Sequence, residues 1–298
     1  MRGRKPQQGS PQPLTDRGAK RELYAFFATV FALTWGLGAL LIFAKPQLES
    51  LIGPIGQINR HWLYYLAVSA PTLCAVLIAA LSGGGRALMM RLLTPAPLKW
   101  WATAILVYPS GLLVYWLIRR ASGGGDDVDI HALLIGAPTM AVTTLVLIAD
   151  PGALGEELGW RGFALPRLLQ LFDATRSAIV LGVIWTIWHA PAFLLDGLSQ
   201  AAFNFGWFML ALVSLSILMT WIFLHAKGNA VVAGVVPHMM FNLAFDAHVF
   251  KSVPKTEAIV LAAIAGILLC VFGRNLQGRR PETDNLAGGI AVKRGMLC

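Results

Sequence analysis

The stretch GWFMLALVSLSILMTWIFLH, residues 206–225, runs for twenty positions with no Asp, Glu, Lys or Arg. Twenty helical residues rise about 30 Å, the thickness of a bilayer's hydrocarbon core. Seven other runs look long enough to cross: about 23–43, 62–81, 98–118, 130–149, 177–195, 230–247 and 257–273. The whole chain of 298 residues is 56% hydrophobic and 13% charged, whereas a soluble domain carries about 25% charged residues. These features predict an all-α polytopic membrane protein, a bundle of about eight transmembrane helices. Residues 1–21, rich in Pro, Gln, Gly and basic side chains, read as a disordered tail. Residues 22–273 form the membrane domain, and 274–298 a second tail. The first apolar run is too long for a signal-peptide core and reads as a retained helix. The segment 153–172 is amphipathic; it either extends the fourth helix or lies at the interface.

The net charge of +9 would suit nucleic acid, but its placement does not. If the N-terminus lies inside, only Lys45, Arg60, Arg119, Arg120, Lys251 and Lys255 fall in outer segments, which leaves 24 − 6 = 18 basic residues inside. That is the positive-inside pattern of an integral membrane protein with both termini cytoplasmic. Cys74 and Cys270 fall in apolar runs and Cys298 is terminal, so no disulfide framework is visible.

Against this apolar background a few polar side chains stand out. An ionisable group at bilayer depth costs roughly 2.5–3.5 kcal/mol on insertion scales and marks a functional site by default. Glu156, Glu157 and Arg161 lie in EELGWR, His189 in WTIWH, and His238 with Asn242 in HMMFN. Glu157 and Arg161 are spaced i,i+4 in the favourable order for a helix ion pair, so their first reading is structural. Glu156 is then left without an obvious local partner. Trp185 and His189, and His238 and Asn242, share the same spacing and so one helix face each. Taken alone, His189 reads as a buried histidine bonded to a carbonyl, and Asn242 as interhelical glue. His61, His131, His225 and His248 lie near helix ends and read as interfacial.

Together, the set has the parts of a hydrolytic site. A carboxylate takes a proton from water, a histidine orients that water or protonates the leaving amine, and a His/Asn pair stabilises an oxyanion. Glu156, His189 and His238 could equally bind zinc or another divalent metal. HExxH is absent, which excludes the simple zincin pattern. Non-enzymatic alternatives are a membrane scaffold or immunity factor and a proton-coupled transporter, although no inverted repeat is visible.

The three motifs, Glu-Glu-x-x-x-Arg, aromatic-x-x-x-His and His-x-x-x-Asn, resemble in order those of the CAAX prenyl protease and bacteriocin-processing (CPBP, or Abi) family of intramembrane proteases. The contexts GEELGWRG and WHAPAF are similar to its bacterial members, and residues 69–93 to its second helix and following loop. The resemblance covers roughly residues 22–273. It implies an eight-helix bundle with an intramembrane cavity, in a bacterial plasma membrane. By carry-over, Glu156 activates water with help from His189, His238 and Asn242 hold the oxyanion, and Arg161 supports the site through Glu157. The family is described both as metal-dependent and as glutamate-dependent without metal. Trp185 departs from the Phe common at its position. Family substrates range from prenylated CAAX proteins to leader peptides and bacteriocins; the bacterial character favours a peptide or membrane-protein substrate. Glu156, His189, His238 and Asn242 are expected to share one cavity.

Overall fold

A computed structural model describes residues 16–124, 151–246 and 255–277. Within them the chain is built from helices: α1 (Asp16–Phe43), α2 (Lys45–Ile52), α3 (Trp62–Ser82), α4 (Gly85–Leu93), α5 (Leu98–Ala121), α6 (Pro151–Glu157), α7 (Leu165–Leu171), α8 (Ala174–Trp188), α9 (Phe205–His225), α10 (Val236–Asp246) and α11 (Lys255–Phe272). A π-helical turn, Leu158–Ala164, joins α6 to α7, and another, Val231–Val235, leads into α10. Helices α1, α3, α5, α9 and α11, and α8 with its 3-10 extension to Leu194, are long and apolar enough to cross a membrane. The segment leading into α10 is apolar but shorter. The expected span at 130–149, His131 and His248 lie outside the described residues.

The sequence dictates these elements in a simple way. Long apolar runs bury their backbone polar groups by forming helices, the only open-ended structure a bilayer tolerates. Their ends carry ordinary stop and start signals. Asp173 caps α8, its side chain accepting from Arg176 N–H at 2.9 Å, and Asn204 caps α9 in the same way. Gly83, at φ +76°, closes α3 in the left-handed conformation. Helix α1 begins at Asp16, so residues 16–21 belong to it and not to the tail.

Two ends of the bundle are distinguishable. At the Asp16 end, Arg167 Nε donates to Glu22 at 2.7 Å, Asn229 donates to the Thr94 carbonyl at 2.6 Å, and Thr175 donates to the Arg274 carbonyl at 2.8 Å. At the Phe43 end, Leu41, Ile55, Ile58 and Leu63 form a small core with Leu195 and Leu198 against it.

The segment 151–171 passes between these ends. It starts beside Val68 and Ser69 near the beginning of α3, passes Pro71, and reaches Glu22 at the start of α1. Twenty-one residues at 1.5 Å cover about 30 Å. It is therefore buried in the bundle and not interfacial: Trp160, Arg161, Phe163, Ala164 and Leu165 are fully buried, and Trp160 packs edge-on against Phe26 of α1. Its junction with the run at 130–149 lies outside the described residues. Its amphipathic composition misleads because its polar side chains face partners inside the bundle instead of water.

Close backbone approach makes this passage possible. A Cβ on Gly159 would stand 2.5 Å from the Pro71 carbonyl carbon and oxygen, atoms that cannot turn aside. Gly159→Ala is expected to destabilise the fold by about 1–3 kcal/mol, as overpacking does. Thermal melts in lipid against Gly36→Ala, where the added methyl meets nothing within 4 Å, check this.

Candidate active site

The π-helical turn that follows Glu157 widens the helix at the motif EELGWR and sets its side chains on two levels. Such turns concentrate at functional positions. On the lower level, Glu157 and Arg161 are fully buried. Arg161 Nη1 donates to both Glu157 oxygens, at 2.8 and 3.0 Å. His238 Nδ1 lies 2.9 Å from Glu157 Oε1, so one carboxylate ties α6 to both its own turn and α10. A Cβ on Gly234 would come within 2.6 Å of Glu157 Oε2, which explains the small residue there. The guanidinium of Arg161 lies 4.3 Å from the centroid of the Trp185 ring, a cation–π contact. Its Nε and Nη2 have no hydrogen-bond partner among the described residues.

On the upper level stands Glu156, buried at 3% exposure. The structure corrects the expectation that it lacks a local partner. Trp160 Nε1 donates to Glu156 Oε2 at 3.2 Å, and Trp185 Nε1 donates to the same oxygen at 2.6 Å. Two indoles thus fix one oxygen of the carboxylate. The other, Oε1, accepts no hydrogen bond from the described residues. Trp160 is the residue the sequence reading missed; its signal was the i,i+4 spacing from Glu156. Trp185 was noted only as a motif aromatic, yet its N–H is a donor that Phe at this position lacks.

His189 closes α8 at the point where Pro191 prevents the helix from continuing. Its Nδ1 lies 2.8 Å from the Trp185 carbonyl oxygen. A carbonyl only accepts, so Nδ1 carries the proton and Nε2 is the ring's other face. The His189 ring sits edge-on against Trp188 and Phe208, with centroids 4.7 and 5.3 Å apart. Trp185 stands between the two histidines, 5.9 Å from the His189 centroid and 5.1 Å from that of His238.

Glu156, His189, His238 and Asn242 all line one cavity of about 490 Å³. Its remaining walls come from α1, the beginning of α3, the α8–α9 connection and the start of α9. Glu157 and Arg161 lie outside the lining. The site's lower level is therefore sealed from it.

Among the described residues, no three His, Cys, Asp or Glu side chains stand close enough to enclose one ion. The geometry does not gather Glu156, His189 and His238 into a ligand set. Glu257 is also fully buried, against Tyr108 of α5, but outside the cavity. His225 stacks with Trp100 and Trp221 at the Asp16 end, away from the site.

Residues 137–244 match a family described as Rce1-like, type II CAAX prenyl endopeptidase Rce1-like. Over this segment the chain is similar to the Rce1-like family. All three motifs fall inside the matched residues. Over 152 residues the chain is also 32% identical to the CAAX prenyl protease 2 of Methanococcus maripaludis, an alignment covering 49% of this chain and 55% of that protein. The chain thus spans about half the length of the curated relative it matches. The matched segment carries every polar side chain placed in the cavity from α6, α8 and α10.

Proposed function

We propose that the chain is an intramembrane endopeptidase that hydrolyses a peptide bond of a membrane-associated protein or peptide, in a plasma membrane with both termini cytoplasmic. The observation that carries this reading is the convergence of Glu156, His189, His238 and Asn242 on one cavity, with Glu157 and Arg161 locked beneath. In this reading Glu156 is the general base. Its Oε2 is held by two indoles, which leaves Oε1 to take a proton as the water oxygen attacks the scissile carbonyl carbon. His189, anchored through Nδ1, turns its unprotonated Nε2 toward that water and orients it by accepting its second hydrogen, and the proton taken up by Glu156 passes to the leaving amine as the C–N bond breaks. His238 and Asn242 donate to the oxyanion of the tetrahedral intermediate. Arg161 positions His238 through Glu157.

Two tests follow directly. Trp185→Phe keeps the ring but removes the donor to Glu156. A hydrogen bond to a charged group is worth about 1.5–3 kcal/mol, so cleavage is expected to fall roughly tenfold or more with the fold intact. Cells lacking the protein, complemented with wild type or Glu156→Gln, are compared by proteomics for uncut membrane proteins. Uncut species are expected with the variant. Equal rescue by both would instead indicate a scaffold or immunity role. Chelator treatment and elemental analysis of the purified protein address metal directly.

A further inference from the structure

Helix α4 carries its apolar side chains on the wrong side for a helix that faces water. Leu88 is buried, and a Cβ on Gly162, in the π-helical turn Leu158–Ala164, would stand 3.3 Å from its Cδ1. Three residues on, Arg91 lies on the flank of that inward face and is half-buried. Met89, Met90 and Leu93 fall on the opposite side and are exposed. Methionines turned out and an arginine turned in suit a helix whose outer face meets acyl chains. The position fits. Gly83 and Gly84 alone separate α3 from α4, and Ala226 alone separates α9 from Lys227. Both segments lie just past the end of a membrane-crossing helix, where His225 stacks with Trp100 and Trp221 in the manner of an interfacial aromatic belt.

The two segments meet at Gly228. The Arg91 guanidinium carbon lies 5.4 Å from the Phe223 centroid, and Nη1 fills the space that a Cβ on Gly228 would need. Asn229 pins the loop by donating to the Thr94 carbonyl and accepting from Val232 N–H at 2.9 Å. The exposed Lys227 stands at φ +56°, a left-handed conformation that lysine rarely adopts. Neither Arg91 nor Lys227 has an ion-pair partner among the described residues. Burial, and then the like charge of Arg167, press the Arg91 pKa below that of a free arginine. Glu22 is already paired with Arg167. Two cations therefore stand together without a protein anion.

We infer that Arg91 and Lys227 form a site for the phosphate of an anionic phospholipid, with its acyl chains in the apolar surround that Met89, Met90 and Leu93 face. The phosphate accepts from the guanidinium fork and from the ammonium group. Basic pockets between membrane helices take anionic headgroups in this way. The lipid joins α4, which backs the π-helical turn at Gly162, to the loop that leads through Val231–Val235 to His238. It braces from behind both segments that carry the site's acidic and imidazole groups.

The full chain in neutral detergent is offered an equimolar mixture of phosphatidylglycerol and phosphatidylcholine, and native mass spectrometry reads the lipid that stays bound. Wild type is expected to retain phosphatidylglycerol in preference. Arg91→Gln is expected to lower that retention about tenfold, the worth of one charge-assisted hydrogen bond. Lys227→Gly is expected to lower it about fivefold, the effect of one basic residue at an anionic surface. The same variant is expected to melt higher than wild type in lipid-free detergent, because glycine adopts the left-handed turn without strain. A lysine kept only for the fold would not show that opposition. If Arg91→Gln fails to fold, Lys227→Gly carries the test alone. Arg86→Gln, on the exposed face of α4, is expected to retain lipid as wild type does. Equal retention of the two lipids by wild type, unchanged retention in Lys227→Gly, or an equal loss in Arg86→Gln overturns the site. A rise in Tm with inorganic phosphate that matches the rise with phosphatidylglycerol overturns the lipid as its ligand.

Discussion

Arg161→Leu is expected to cost the bundle about 3–5 kcal/mol, the loss on breaking one partner out of a buried ion pair. Both charges are fully removed from solvent, and a single guanidinium nitrogen serves both oxygens of Glu157. Leucine would leave that carboxylate in the interior with only His238 beside it. It would also remove the cation resting on the Trp185 face, which borders both histidines. The double variant Arg161→Leu with Glu157→Gln is expected to lose less than the sum of the two single changes, because each single change strands the other charge. Thermal melts of the three variants in one lipid preparation measure this. Additive losses would mean that the pair is not coupled.

Glu156→Gln is expected to do the opposite: to preserve the fold and abolish turnover. Glutamine matches the carboxylate in shape and retains an oxygen to accept from the indoles of Trp160 and Trp185. It cannot take a proton from water. Loss of a positioned general base costs typically 10²–10⁴-fold, and a drop of about that size is expected in kcat. His189→Ala should fall similarly in rate but also melt earlier, because its ring packs against Trp188 and Phe208.

Much of this arrangement was legible in the sequence. Residues 206–225 could be nothing but a span, and the structure places α9 over Phe205–His225. The Glu157–Arg161 pair followed from its spacing, as did the shared face of His238 and Asn242. What was hidden depends on distant contacts. Trp185 lies 29 residues from Glu156, and no local rule assigns its N–H to that oxygen. The passage of 151–171 through the bundle was masked by its charged residues, which hydropathy reads as contact with water. Their partners come from α1, α8 and α10, and the backbone approach at Gly159 depends on Pro71 of α3. Hydropathy also read the Glu257 region as the edge of a span, whereas that side chain is fully buried.

The division of labour between the adjacent carboxylates is open to one direct measurement: cleavage rate and melting temperature of Glu156→Gln and Glu157→Gln beside wild type in the same lipid. A folded but inactive Glu156→Gln, next to a Glu157→Gln that melts well below wild type, is the expected outcome. A folded Glu156→Gln that cuts at the wild-type rate would contradict the assignment of the attacking water to Glu156.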